Sequence, residues 1–221
     1  MKLVLKANLL GVLASVLLGA LLFLIAGDFK YWNGWLFICA FIIPMNFIRI
    51  YLVRNDPALV EKRMKIIEKN KLQGILNTLM SLGAIALFPV SGFDYRYHWS
   101  TVPNWIVVIF TIVMICGLLL LFMVVKENGY ASRVIEIQEG QRLIDTGVYS
   151  VIRHPMYLAA TIVFCSLPFI LGSFYALIPA VCIPLLLPMR IDNEEKVLRD
   201  GLKGYDLYMN KVKYRLIPYV W

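Results

Sequence analysis

Charges thin out in five stretches of this chain, Asn8 to Ala26, Trp35 to Val53, Ile75 to Val90, Trp105 to Val125 and Met156 to Met189. A hydrocarbon core about 30 Å thick is crossed by about 20 apolar residues in a helix, so each of the first four predicts one span. The fifth is too long for one. Leu171-Gly172-Ser173 at its centre predicts a tight turn between two antiparallel helices. The pattern therefore predicts six spans and an all-α fold, a polytopic transmembrane helix bundle.

The connectors carry their own signals. Asn55-Asp56-Pro57 reads as a helix cap followed by proline in the first turn. The short helix expected after it alternates Leu59, Val60, Met64, Ile67 and Leu72 with Lys62, Arg63, Lys65, Lys69 and Lys71, as a helix at the headgroups does. Phe93-Asp94-Tyr95-Arg96-Tyr97-His98-Trp99 resembles an aromatic belt, with His98 in an exposed loop. The connector from Lys126 to Arg153 is densely polar. Within it, Val134-Ile135-Glu136-Ile137-Gln138 before Glu139-Gly140 reads as an extended segment running into a turn. Such a loop either presents backbone groups to a ligand or is a capped surface loop.

Composition agrees with the pattern. The chain is 60% hydrophobic over 221 residues, with a mean hydropathy of +0.73, well beyond a soluble domain. With the N-terminus inside, every lysine and arginine except Lys30 and Arg96 falls on the cytoplasmic side. Both termini are then expected there. This bias explains the net charge of +8 as orientation and headgroup attraction, with no basic tract built for nucleic acid. The first apolar stretch exceeds the core of a signal peptide and is read as a retained helix. Cys39, Cys116, Cys165 and Cys182 lie inside expected spans without Cys-x-x-Cys spacing, so they read as packing residues, and with His98 and His154 the only histidines no metal site is expected.

Two polar clusters flank the fifth run. The first is Arg153-His154-Pro155-Met156-Tyr157. Proline disfavours helix at the residue before it, which places His154 at the start of the fifth helix and Tyr157 on a similar face. First-turn amides without intrahelical partners, and the positive end of the dipole, favour a carboxylate there. The same residues also suit a plain interfacial helix anchor. The second cluster is Arg190-Ile191-Asp192-Asn193-Glu194-Glu195. Arg190 and Glu194 are spaced to pair on one helical face, and a hairpin brings these acids toward His154. An acid pair beside a helix N-terminus offers a place for an ammonium and a carboxylate together.

In these pieces the chain resembles the integral-membrane methyltransferases that include isoprenylcysteine carboxyl methyltransferase and the phospholipid N-methyltransferases. The matching elements are Gly147-Val148-Tyr149, Arg153-His154-Pro155-Met156-Tyr157, the apolar hairpin, Arg190-x-x-x-Glu194-Glu195, and Leu202-x-x-Tyr205-x-x-Tyr208 with Ile217-Pro218. Asp56 to Arg63 adds a weaker likeness to bacterial members. The resemblance implies one domain over 1–221, with four spans in 1–125 and a cytosolic cofactor-binding loop, hairpin and C-terminal tail in 126–221.

It also implies an S-adenosylmethionine site. His154, Tyr157, Glu194 and Glu195 would hold the methionine part. Gln138, Gly140, Leu143, Val148 and Tyr149 would flank the sulfonium or adenosine. Arg190 would orient the acceptor or the catalytic acid, and Glu195 or Glu194 would take a proton from an amine acceptor. Ala159 and Ala160 stand where many members have glycine. The implied partners are a lipophilic or lipidated acceptor and membrane lipid, with neither nucleic acid nor metal. An isoprenylcysteine-like carboxylate is the leading acceptor and a phospholipid amine the alternative. An NADPH-dependent sterol-reductase-like enzyme, suggested by Tyr214-Arg215-Leu216-Ile217-Pro218, and a transporter or scaffold are the other classes. Pro168, Pro179, Pro184 and Pro188 either bend the hairpin to admit a lipid or serve packing alone.

Overall fold

The computed structural model describes residues 2–64, 68 and 70–221, with side chains described from residue 8. Lys65, Ile67 and Lys69 of the expected surface helix lie outside the described residues. The elements in order are α1 (Lys2–Ala26), α2 (Trp32–Phe37), a π-turn (Ile38–Ile42), α3 (Ile43–Asn55), α4 (Pro57–Met64), α5 (Lys71–Tyr97), α6 (Asn104–Glu127), a 3-10 turn (Gly147–Ser150), α7 (Pro155–Ile170), α8 (Leu177–Gly201) and α9 (Tyr205–Lys211). No strand occurs among the described residues. The protein is a helical membrane bundle.

Four helical stretches are long and apolar enough to cross a bilayer: 8–26, 32–55, 71–97 and 104–127. The last apolar run divides as its sequence predicts. Leu171 and Gly172 make the turn, and Gly172 sits at φ +73°, a conformation that glycine adopts without strain. Each arm is shorter than a full span, α7 having 16 residues and α8 turning charged after Met189. The hairpin nevertheless runs the depth of the bundle, because its turn is tied to the turns of the other helices. Tyr31 Oη donates to Leu171 O, Asn33 Nδ2 donates to Ile170 O at 2.7 Å, Ser173 Oγ donates to the buried Asp94 carboxylate, and Phe174 N donates to Ser100 Oγ at 3.0 Å. These partners belong to the connection after α1, to the start of α2, to α5 and to the connection after α5. Helix ends leave backbone groups unpaired, and here one helix pair completes another.

Between the two ends the core is apolar, with Leu22, Phe37, Leu87, Met114, Leu167 and Ala180 among its buried members. Outer faces display Leu13, Val16, Ile85, Ile112 and Leu185, as expected where lipid replaces water. Close approach of α6 and α7 depends on Gly117, where a Cβ would stand 2.8 Å from Ile162 Cγ2.

Among the connectors, the cap before Pro57 forms as the sequence predicts, while two other features depart from that reading. Leu72, expected on the surface helix, belongs to α5; α4 is described over Pro57–Met64. Its cap is Asp56, whose Oδ1 accepts from Leu59 N at 2.9 Å, while Asn55 bonds back to Tyr51 O as the last residue of α3. Residues 134–138 form no regular element; Gln138 turns onto the loop itself, with Nε2 donating to Tyr130 O at 2.8 Å.

Candidate active site

The site is built where α7 starts and α8 leaves its apolar run. Pro155 opens α7 and His154 caps it, so the imidazole faces α8 rather than joining a helix face of its own. Its Nε2 lies 3.2 Å from Glu195 Oε1, which fixes the proton on Nε2, since an ionised carboxylate only accepts. The two ends of the hairpin therefore meet, as the sequence predicts.

Glu195 is more heavily engaged than its sequence suggests. Arg153 Nε donates to its Oε1 at 2.6 Å, and Arg215 Nη2 stands 2.9 Å from its Oε2. Burial pushes the carboxyl pKa up, but hydrogen bonds from His154 and Arg153 outweigh that and bring it down to about 2. Arg153 is also spoken for, donating from Nη1 to Val212 O at 2.7 Å and to Lys213 O at 2.9 Å. The C-terminal segment adds a short backbone pairing, with Arg153 N donating to Tyr214 O and His154 N to Arg215 O. The tail thus binds the mouth of the hairpin directly.

A second network surrounds Tyr157. Its hydroxyl donates to Glu194 Oε2 and accepts from Arg190 Nε at 2.9 Å. Arg190 and Glu194, spaced to pair directly, are instead bridged by this tyrosine. Arg190 is directed elsewhere: Nη1 donates to Glu68 Oε1 and Gln73 Oε1, both at 3.3 Å, and Nη2 to Arg133 O at 2.7 Å. Glu68 also accepts from Asn77 Nδ2 at 2.7 Å and from Ile135 N at 3.3 Å. One carboxylate from the α4–α5 connection therefore joins α5, α8 and the polar loop. Neither Glu68 nor Gln73 stands out in the sequence; the contact with Arg190 spans more than a hundred positions and leaves no local pattern.

These networks wall a cavity of ≈ 840 Å³ of empty space that opens to solvent. Of the residues expected in the site, Leu143, Tyr149, His154, Tyr157, Arg190 and Glu194 line it. Gln138, Gly140, Val148 and Glu195 stand outside its lining. Val148 serves the turn before α7, its amide donating to Glu127 Oε2 at 3.1 Å, and Gly140 O accepts from Tyr130 Oη. The lining also includes Asn128, Val134, Leu198 and Tyr205. The Tyr205 hydroxyl is buried without a partner, and burial raises its pKa, so it stays protonated. Glu194 has one carboxylate oxygen on Tyr157 and the other without a partner among the described residues.

A second cavity, apolar and ≈ 1330 Å³, lies between α3, α5, α6, α7 and α8. Ser132, Met156, Tyr157 and Arg190 line both. A polar chamber at the bundle end and an apolar groove within the bundle thus share one wall.

The sequence model of the phospholipid methyltransferase family matches residues 105–203. The match covers a little under half of the chain. It runs from the start of α6 through the polar loop, the hairpin and both acids, so the shared wall lies within it. Glu68, Gln73 and Arg215, which hold Arg190 and Glu195 in place, fall outside the matched segment. No curated protein matches the chain.

Proposed function

We propose that the protein transfers a methyl group from S-adenosylmethionine to the carboxylate of a lipophilic, isoprenylcysteine-like acceptor. The wall shared by the polar cavity and the apolar groove carries this reading, because it lets a soluble donor and a lipid meet at one point. Orphaned polar atoms fit the donor: the free oxygen of Glu194 suits an ammonium, the Tyr205 hydroxyl suits an acceptor oxygen, and Val134, Leu143 and Leu198 offer apolar contact to a base. When bound, the donor supplies an electrophilic methyl on a sulfonium.

The chain's own part is alignment and exclusion of water. Tyr157 fixes Glu194 and Arg190 relative to each other through one hydroxyl. Glu68 and Gln73 hold the Arg190 guanidinium at the shared wall. His154, Arg153 and Glu195 keep the two ends of the hairpin together, which makes Glu195 a positioning residue in this reading. Met156 closes the wall on its apolar side.

The groove's polar rim favours an acid as acceptor. Arg63, Arg133 and Arg190 line it and no aspartate or glutamate does. A carboxylate is already ionised at neutral pH and needs no general base. An amine acceptor needs a base; Glu68 accepts from Asn77 and Arg190, and in this reading the free oxygen of Glu194 is taken by the donor's ammonium. The phospholipid amine remains the second reading, on the strength of the family match. The basic residues gathered at this end support a cytosolic face for the site, with both termini on that side.

A transfer assay with methyl-labelled S-adenosylmethionine tests this. Purified protein is offered a prenylcysteine-type acid, a phosphatidylethanolamine, or neither. Labelled ester from the acid is the expected result. Label on the phosphatidylethanolamine alone selects the second reading. Stabilisation by NADPH with none by S-adenosylhomocysteine would reject both.

A further inference from the structure

A third cavity, ≈ 1230 Å³, lies between α1, α3, α4 and α6. Its walls are largely apolar, and those from α1 run from Leu10 to Leu18, roughly 12 Å along the helix axis, the length of a good part of an acyl chain. The π-turn at Ile38–Ile42 places Phe41 and Ile42 on it. Such local unwinding often accompanies a binding surface.

The polar end of the groove is cationic. Arg49 and Arg63 line it, and no acidic residue does. Arg49 is oriented by neutral oxygens, donating from Nη1 to Asn8 O and Oδ1 at 2.9 and 2.8 Å and from Nη2 to Asn46 Oδ1 at 2.7 Å. Arg63 donates from Nη1 to Ala131 O at 2.8 Å, and among the described residues no carboxylate pairs with it. Removal from water disfavours its charge. A guanidinium has five donors in a planar fork that matches a phosphate, so two of them at the headgroup end of an apolar groove point to an anionic lipid.

We propose that this groove holds an anionic phospholipid of the surrounding membrane, an acyl chain along α1 and α3 and the phosphate on Arg63 and Arg49. The site is distinct from the donor cavity and does not rest on the methyl-transfer reading. It borders the acceptor groove at Phe41, Met45, Arg63 and Leu121, so its occupant forms one flank of the path that a lipid acceptor takes.

The test is lipid retention by the full chain, purified in detergent and then exposed to phosphatidylglycerol or phosphatidylcholine, with bound lipid read by native mass spectrometry. An arginine near a membrane surface contributes about a factor of five toward an anionic lipid. Phosphatidylglycerol should therefore be retained roughly fivefold or more over phosphatidylcholine. Arg63→Gln should remove the preference, and Arg63→Lys should restore part of it. Ala14→Trp, which fills the groove from α1, should reduce retention of both lipids while stabilisation by S-adenosylhomocysteine stays as in the parent protein. Equal retention of the two lipids overturns the proposal, as does a preference that survives both Arg63→Gln and Ala14→Trp. Displacement of the lipid by inorganic phosphate at millimolar concentration would also overturn it, by showing a small-anion site.

Discussion

Arg153 and Glu195, one preceding the first hairpin helix and the other near the end of the second, stand 2.6 Å apart from Nε to Oε1. Both side chains are almost wholly buried, so the pair is a clamp on the hairpin mouth. Removing one partner of a buried pair costs about 3–5 kcal/mol, and because Arg215 and His154 still hold Glu195 the lower end of that range applies. Arg153→Ala should lower the midpoint of unfolding in detergent by that measure, followed by circular dichroism against denaturant. A change within experimental error would show that the pair is not a clamp.

The same pair sets an acid dependence. The Glu195 pKa is depressed in the folded protein to about 2, against an ordinary carboxylate value of about 4.3. Its contribution is complete above the ordinary value and is lost as pH falls through the folded one. Melting temperatures measured from pH 5 to pH 2 should therefore decline in the parent protein and decline less steeply in Glu195→Gln. Parallel curves for the two proteins would remove Glu195 from the account of acid sensitivity.

Glu194 presents the opposite case, a half-buried acid with one oxygen unpartnered at the cavity. Glu194→Gln should leave the fold intact but weaken S-adenosylhomocysteine by about tenfold or more, the worth of a hydrogen bond to a charged group. Isothermal titration alongside a melting curve separates the two effects. Unchanged affinity would exclude Glu194 from the donor site.

Arg190 forks to Glu68, Gln73 and the Arg133 carbonyl while touching Tyr157. Lysine keeps the charge but not the fork. Arg190→Lys should reduce kcat by about a hundredfold through misplacement of the acceptor, with S-adenosylhomocysteine still stabilising the protein. Loss of that stabilisation along with the rate would assign Arg190 to the donor instead.

Packing supplies a prediction away from the site. At Gly117 an added side chain meets Ile162 and Val163 of α7, and overpacking of this kind costs about 1–3 kcal/mol. Gly117→Val should unfold at lower denaturant than the parent protein, while Gly74→Val, where a Cβ would meet only Glu68 Cβ at 3.9 Å, should lose about 0.5 kcal/mol or less.

What the sequence discloses, and what it hides, follows the range of each interaction. The hairpin is legible because a charge-free run of thirty-four residues broken at Gly172 admits one economical folding, and that folding brings His154 to Glu195. Lys126 to Arg153 declares itself polar, yet its backbone course is set by Glu127, Tyr130 and Glu68, none of which alters the local pattern. Arg190 was expected on Glu194 by helical spacing; Tyr157 takes that place because an aromatic hydroxyl one turn into α7 reaches both. The C-terminal tail supplies main-chain carbonyls to Arg153 and His154. Such main-chain acceptance carries no signature in side-chain identity.

The seam at the opposite end of the bundle has a mechanical corollary. Tyr31, Asn33, Asp94 and Ser100 grip the hairpin turn from two neighbours, so the final helices behave like the legs of a pair of dividers, fixed at the joint. Whatever widening admits a bulky guest has to occur at the opposite tips, where the Arg153–Glu195 pair and the C-terminal strap must loosen first, and a lever pivoting at the turn moves its reactive end farthest for the smallest disturbance of the core.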